Sequence, residues 1–412
     1  RLALRLLVGL AAVRLEVSAV SCGIAAAALE TGRRWAQAAG VLSSTRARGV
    51  ELGQITYNTV ASACGSSQHW RIAWQAVREM QRYSLEPDLV SCNTAVSAAE
   101  KADIWQQALV VLAQMEDGHI QLDLITCNAA ISACEKGRRW ERSLLLLGLL
   151  CLWRLSASTL TYNAAISACE KGDEWLRAMQ LLEEMCQHSP TPDVITHNAA
   201  ISACGKGQQW ELALQLLAAL ARRSLAASEV SGGAALSACE EAQRWTEGLH
   251  LLSEMCSRRL EPNTILCNSA ISACEKGHEW FRAVLLVGEM RWRGHPCSPI
   301  THNGAMSACE KSHRWDWAFR ILADMRAATL QATTISFNAA ISACEKAQQW
   351  HFAAEAFSAL LSRGLSATGI SYNALIAACE KSLRWAPAVA ALEAARRGRA
   401  GPDAVACSAC LG

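Results

Sequence analysis

The sequence predicts an all-α fold: an α-solenoid of stacked helix-turn-helix repeats, 35 residues each. Three observations predict it. Trp stands at positions 35, 70, 105, 140, 175, 210, 245, 280, 315, 350 and 385, an interval of 35 residues without one slip. Cysteine keeps the same period: Cys64, Cys134, Cys169, Cys204, Cys239, Cys274, Cys309, Cys344 and Cys379 each precede a Trp by six residues. Within each interval, apolar residues recur at helical spacing in two separate stretches.

Composition agrees with a packed array and excludes other classes. The 412 residues carry 39 basic and 37 acidic side chains, so there is no polyelectrolyte tail and no global field. A hydrophobic content of 51 % excludes a disordered chain, and only 8 prolines argue against a turn-rich all-β fold. Of 15 Trp, only Trp74, Trp153, Trp292 and Trp317 fall outside the series.

Eleven full repeats account for most of the chain: 19–53, 54–88, 89–123, 124–158, 159–193, 194–228, 229–263, 264–298, 299–333, 334–368 and 369–403. They read as one quasi-one-dimensional array. Residues 1–18 align with the second helix of a truncated repeat, Ala3 taking its small-residue slot, and 404–412 begin a further one. The apolar, arginine-containing start is rather like a targeting peptide, but its register and its initial Arg favour a truncated repeat whose true N-terminus is missing. The longest uncharged run, Ser143 to Trp153, is too short to span a bilayer, so no membrane segment is expected.

Each repeat has two halves. The first is typified by Ile125–Lys136, ITCNAAISACEK. Counting from the first residue of a repeat, apolar residues at positions 4, 8 and 11 (Tyr162, Ile166 and Cys169) make a helical stripe, while Asn, Ser and Lys occupy positions 5, 9 and 13. A short polar link follows, often with Gly, and a second amphipathic helix opens near the Trp. A small residue three after the Trp (Ala108, Ala178, Ala213, Ala283, Ala318) allows close approach, and Leu109, Leu112 and Met115 continue the apolar face.

The Trp series is expected in the core, wedged where helix pairs stack. Equivalent cysteines of adjacent repeats should lie about 8–10 Å apart, beyond the reach of about 7 Å between disulfide Cα atoms, so buried unpaired thiols are expected. Cys407 and Cys410 form a lone CxxC, but Cys407 fills the slot of Cys92, Cys127 and Cys267. No metal site, cofactor or catalytic constellation is expected.

The consensus ITYNAAISACEKGxxWxxALxLLxEMxxxxLxPD resembles the pentatricopeptide repeat (PPR), in a P-type array of 35-residue repeats. The runs carrying it include Ile55-Thr56-Tyr57-Asn58 through Glu86-Pro87-Asp88, and Leu160-Thr161-Tyr162-Asn163 through Pro192-Asp193. The period of 35 favours this family over the tetratricopeptide repeat, whose period is 34. The SACEK-to-Trp signature departs from the family, which has an aliphatic residue where this chain has Trp. The resemblance implies a right-handed superhelix binding single-stranded RNA, one nucleotide per repeat. It also implies that position 5 and the last residue choose the base and that position 2 packs against the ring, all on the concave face.

Position 5 is Asn58, Asn93, Asn128, Asn163, Asn198, Asn268, Asn303, Asn338 and Asn373. Asn is a mediocre helix former, so propensity does not explain the recurrence. Its carboxamide offers donor and acceptor together and can meet either pyrimidine edge; the alternative is a repeated helix-start hydrogen bond. Position 2 is Ile55, Val90, Ile125, Leu160, Ile195, Ile265, Ile300, Ile335 and Ile370, suited to sandwiching a base, with partial core burial as the alternative.

Position 13 supplies Lys101, Lys136, Lys171, Lys206, Lys276, Lys311, Lys346 and Lys381, a basic stripe for phosphates; the alternative is a solvated lysine paired with the Glu usually preceding it. The seventh repeat has Gly233 and Glu241 at positions 5 and 13, and the first has Gly23 and Thr31, as suits repeats that keep the fold but skip a nucleotide.

The last residues, Asp88, Asp123, Ser158, Asp193, Ser228, Asn263, Ser298, Thr333, Thr368 and Asp403, are all good N-caps, and capping alone could account for them. In the family, Asn with Asp favours uracil and Asn with Ser favours cytosine. The resemblance then implies a pyrimidine-rich strand, UUCUCNCYYU, aligned 5′-to-3′ with the protein N-to-C. It further implies a role in organellar RNA metabolism (chloroplast or mitochondrion), without an enzymatic step, by a monomer. A protein-binding α-solenoid scaffold without RNA specificity is the alternative.

Overall fold

The computed structural model describes residues 19–397 except 32–33, 48–51, 66–68, 84, 86, 119, 188–189, 223–227, 258–262 and 329. The expectations for residues 1–18, Asp403, Cys407, Cys410 and 404–412 concern residues outside that range. Among the described residues the secondary structure is all α-helix, in stacked repeating pairs without a strand. The first helices are Ala19–Thr31, Gln54–Gly65, Leu89–Lys101, Leu124–Lys136, Thr159–Lys171, Val194–Lys206, Glu229–Glu241, Thr264–Lys276, Pro299–Lys311, Thr334–Lys346 and Gly369–Lys381. Each second helix opens on a Trp of the series: Trp35–Ala47, Trp70–Arg82, Trp105–Asp117, Trp140–Leu152, Trp175–Gln187, Trp210–Arg222, Trp245–Ser257, Trp280–Trp292, Trp315–Ala327, Trp350–Ser362 and Trp385–Arg397. The helices group into two compact bodies, divided at Ala203 and Cys204 inside the sixth repeat.

Local chemistry sets the helix ends. Asp123, in extended conformation, accepts a hydrogen bond from the Thr126 amide and so satisfies one orphan donor at the start of Leu124–Lys136. At the other end, Arg138 takes φ 53° and the Arg139 amide donates to the Cys134 carbonyl at 2.9 Å, closing the helix with a left-handed residue. The same turn recurs at Asp103, Asp173, Gln208, Gln243, His278, His313, Gln348 and Leu383. The link's glycine is not the left-handed residue. Gly137 precedes it at φ −77° and is small for another reason: a Cβ there would stand 2.3 Å from Cδ1 of Trp105. Gly172 meets Trp140, and Gly277 meets Trp245, in the same way.

This corrects the expectation for the Trp series. The rings are half-buried lids on the turn of the following repeat, and Trp385 is 78 % exposed. Their outer faces take cations from that same turn: Arg139 lies over Trp105, Arg244 over Trp210, Arg314 over Trp280 and Arg384 over Trp350. Such contacts are worth about 0.5–1 kcal/mol each when exposed.

The core lies deeper. Tyr162, Ile166 and Cys169 are buried, as are Ala108, Ala178, Ala213, Ala283 and Ala318 of the second helices. In the first body the first helices of repeats one to five pack on one another in sequence, and in the second body those of repeats seven to eleven do so. Each second helix leans on its own first helix and, through most of each body, on the next. All nine in-phase cysteines are buried and unpaired. Burial pushes the Cys134 thiol up to about 11 and the Cys344 thiol up to about 12. Among the described residues no helix is long and apolar enough to cross a membrane.

Candidate functional site

One face of the first helices carries a column of solvent-exposed aliphatic side chains. Position 2 is between 57 % (Val90) and 77 % (Ile55) exposed in every repeat from the second to the eleventh, through Ile125, Leu160, Ile195, Ile265, Ile300, Ile335 and Ile370. The folded repeats leave these residues uncovered, so core packing does not account for them. Val230 of the seventh repeat joins the column at 67 % although that repeat lacks the Asn. A regular row of exposed branched apolar residues on a polar face makes this a candidate binding surface.

Beside this column the Asn amides are held in a hydrogen-bond relay that sequence reasoning missed. At seven of the Asn positions the hydroxyl at position 3 of the following repeat donates to the Asn Oδ1, whereas the Asn198 Oδ1 has no hydrogen-bond partner among the described residues. Ser91 donates to Asn58 at 2.7 Å, Thr161 to Asn128 at 2.6 Å, Thr196 to Asn163 at 2.5 Å and Thr301 to Asn268 at 2.8 Å. Ser336 donates to Asn303 at 2.7 Å, Ser371 to Asn338 at 2.6 Å, and Thr126 to Asn93. These hydroxyls are buried. The signal was available: Ser or Thr occupies position 3 of every full repeat except the eighth, which has Leu266.

The last residue of each repeat does two things at once. It caps the following helix, as its chemistry predicts: Asp88, Asp123 and Asp193 each accept from the position-3 amide at 2.8 Å. Ser158, Ser228, Ser298, Thr333 and Thr368 form reciprocal capping boxes with the position-3 residue. It also meets the Asn amide of its own repeat. Asn58 Nδ2 donates to Asp88 at 3.2 Å, Asn93 to Asp123 at 3.1 Å and Asn163 to Asp193 at 3.3 Å. In the Ser- and Thr-ended repeats, Nδ2 of Asn128, Asn268 and Asn303 makes no hydrogen bond among the described residues, whereas Asn338 donates to Thr368 at 3.4 Å. Capping and proximity to the Asn are therefore compatible, because the cap leaves the residue beside position 5.

The aspartates stay ionised through the neutral range. Burial alone would raise the Asp88 and Asp123 carboxyls, but the position-3 hydroxyl and amide and the Asn amide outweigh it and hold both below the usual carboxylate range. Asp193 is lowered in the same way by Thr196 and Asn163, against the same opposing burial. At these repeats the face presents an anionic acceptor; at Ser and Thr repeats it presents a hydroxyl that can donate.

Further along the same helices the position-13 lysines are not a bare basic stripe. Each described pair joins a lysine to the position-12 glutamate of the preceding repeat, 36 residues back, not to the Glu beside it in sequence. Lys171 meets Glu135 at 2.9 Å, Lys311 meets Glu275 at 3.0 Å, Lys346 meets Glu310 at 3.0 Å and Lys381 meets Glu345 at 2.9 Å. Lys136 lies 3.6 Å from Glu100. Burial alone would lower Lys276, but Glu240 and Glu241 outweigh it and hold its ammonium above the usual range. The same glutamates accept from the position-9 serines: Ser167 donates to Glu135 at 2.8 Å and Ser307 to Glu275 at 2.8 Å. Serine, glutamate and lysine thus clasp neighbouring repeats. Lys101 differs: the preceding repeat has Gly65 in the glutamate slot, and Lys101 is exposed.

The seventh repeat departs as a unit. Gly233 has no amide to hold, and the next repeat's Leu266 replaces the hydroxyl, its Cδ2 3.4 Å from where a Gly233 Cβ would stand. Asn263, at the end of the repeat, donates instead to Glu229 at 2.7 Å. The polar side chain at position 5 is gone while the aliphatic column continues. The first repeat is different: Thr56 persists opposite Gly23.

Among the described residues no group of three or more His, Cys, Asp or Glu could hold a metal ion. Fold and face together define a helical-repeat protein with one periodic face of exposed aliphatic and polar side chains per body. Models of the PPR repeat family match residues 157–206, of the pentatricopeptide repeat domain residues 75–139 and 320–382, and of the PPR repeat residues 55–85. Those stretches of the chain are thus pentatricopeptide repeats. A search of the curated proteins gives no match. Among solved structures it is similar to the pentatricopeptide repeat protein PPR10 in complex with an 18-nt psaJ RNA element, with TM-score 0.72 and 18 % identity, over 95 % of this chain and 57 % of that one. A triple Cys-to-Ser variant of PPR10 with the same RNA element matches with the same TM-score, 0.72, at 18 % identity, over 95 % of this chain and 57 % of that one. The chain therefore spans little more than half the length of these structures.

Proposed function

We propose that this protein binds single-stranded RNA without chemical turnover, one nucleotide per repeat, on the face that carries positions 2, 5 and 35. The observation that carries this reading is the exposed aliphatic column running beside amides most of whose oxygens are already engaged. Each base would lie between consecutive position-2 side chains. The Asn Nδ2 then donates to a pyrimidine O2, which uracil and cytosine share. The last residue separates the two: ionised Asp88, Asp123 and Asp193 accept from uracil N3–H, whereas the hydroxyls of Ser158, Ser228 and Ser298 donate to cytosine N3. Thr333 and Thr368 accept either pyrimidine. The target is UUCUCNCYYU, Asp403 with Asn373 reading the last uracil and the seventh repeat accepting any base.

Phosphate contact falls first to Lys101, the lysine facing Gly65 rather than a glutamate. The clasped lysines contribute less, since a phosphate approaching them also meets a carboxylate. The family resemblance and the PPR10–RNA complex support the ligand class, and the resemblance supports a role in organellar RNA metabolism; the protein acts as a monomer in this reading. Filter binding tests the reading: the pyrimidine string should bind far more tightly than a polypurine strand of equal length, and equal affinity would remove it. Subcellular fractionation of the full-length protein tests the compartment.

A further inference from the structure

We infer that, wherever the position-3 hydroxyl of the following repeat holds the Asn Oδ1, that hydroxyl is a specificity-determining residue: it prevents the amide from reading adenine. This rests on the RNA-binding reading above. The argument begins with the amide itself. A free carboxamide offers an acceptor and a donor side by side, and that pair matches adenine bidentately. Asn at position 5 would therefore be a poor choice for a pyrimidine reader if its side chain were free to turn.

It is not free. In the fourth repeat the Ser158 amide donates to Thr161 Oγ1 at 3.0 Å, which occupies the acceptor side of that hydroxyl. The Thr161 proton then goes to Asn128 Oδ1 at 2.6 Å. The eighth repeat repeats the relay, the Ser298 amide donating to Thr301 at 3.3 Å and Thr301 to Asn268 at 2.8 Å. Aspartate-ended repeats fix the same orientation from the other side, because a carboxylate can only accept: Nδ2 of Asn58 must face Asp88, leaving Oδ1 toward the Ser91 hydroxyl, whose one proton is shared between Asn58 and Asp88. In both kinds of repeat the oxygen is engaged inside the protein and the nitrogen is the group left for a base; Asn198, whose Oδ1 has no hydrogen-bond partner among the described residues, is the exception. The pair Gly233 and Leu266 is consistent with this: where the amide is missing in the second body, so is the hydroxyl.

The hydroxyl is thus a positioning residue that removes the acceptor half of the amide from the reading face. Thr161→Val keeps the shape, removes the proton and frees the Asn128 amide to turn. The experiment measures affinities of the full chain and its variants for the pyrimidine string with C or A as the third nucleotide, the one assigned to the fourth repeat. Thr161→Val should shift the C-to-A preference toward A by about fivefold or more, the lower end of what one bidentate amide–adenine contact is worth. Substitution at the first nucleotide should show no such shift, and Thr161→Ser should keep the wild-type preference. Thr301→Val, scored at the seventh nucleotide, provides the same test in the other body. An equal loss for both RNAs, or an unchanged preference in both valine variants, would overturn the inference while leaving RNA binding intact. A wild-type protein that does not distinguish pyrimidine from purine strands would remove the underlying reading, and this one with it.

Discussion

Ile125 and Leu160 separate a reading surface from a scaffold. They are 67 % and 70 % exposed. Covering an Ile or Leu completely is worth about 1.5–3 kcal/mol. With two-thirds of each side chain uncovered and a base lying against one side, roughly 1 kcal/mol per residue is available to RNA. The double variant Ile125→Ser/Leu160→Ser should lose about 2 kcal/mol of binding, roughly a 30-fold rise in Kd. Folding should change little, within about 0.5 kcal/mol per site, because the free protein already exposes these residues to water. The assay is filter binding at fixed salt, paired with thermal unfolding of the same preparations. A falling Tm with unchanged Kd would refute the reasoning and return the column to a packing role.

The clasp predicts the salt response of the lysines. If Lys136 and Lys171 each neutralised a phosphate, replacing both with Met would flatten the plot of log affinity against log salt by about 1.4; paired with Glu100 and Glu135, they should change it by less than about 0.5. Thiol alkylation at pH 8 should modify exposed Cys186 in the native protein and spare buried Cys134, Cys169 and Cys274, which mass spectrometry can read; native-state labelling of the latter three would contradict their placement. Between pH 5 and 8 the three aspartates should leave Tm flat. Their carboxyls titrate below the ordinary range, so the stability they add is present above about pH 4 and is lost as pH falls through the folded values. The buried thiols act at the other end. With Cys274 and Cys309 pushed up to about 12, the unfolded chain ionises first and stability should fall as pH rises past about 9.

What could be read from the sequence was whatever repeats within one helix. The period, the two helices and the apolar stripe through Tyr162, Ile166 and Cys169 are local patterns, and the structure has them where the spacing puts them. What joins one repeat to the next was less legible, because those partners stand 32 to 36 residues apart with a second helix between them. The lysines therefore looked like a basic stripe until Glu135 and Glu275 were found in front of Lys171 and Lys311. Trp105 looked like core until its ring was found on Gly137, which also explains why that link residue is small. The Asn amide seemed free to present both of its groups, and only the position-3 hydroxyl one repeat later shows which one is left.

The central claim is that one repeat reads one nucleotide through the residue at its end. Ser158→Asp tests it most directly, because it exchanges a donor for an anionic acceptor while keeping the helix cap. With the pyrimidine string carrying C or U as the third nucleotide, the wild type should prefer C and the variant should prefer U, with no change of preference at any other nucleotide. A uniform loss of affinity, or a preference that stays with C, would contradict the account.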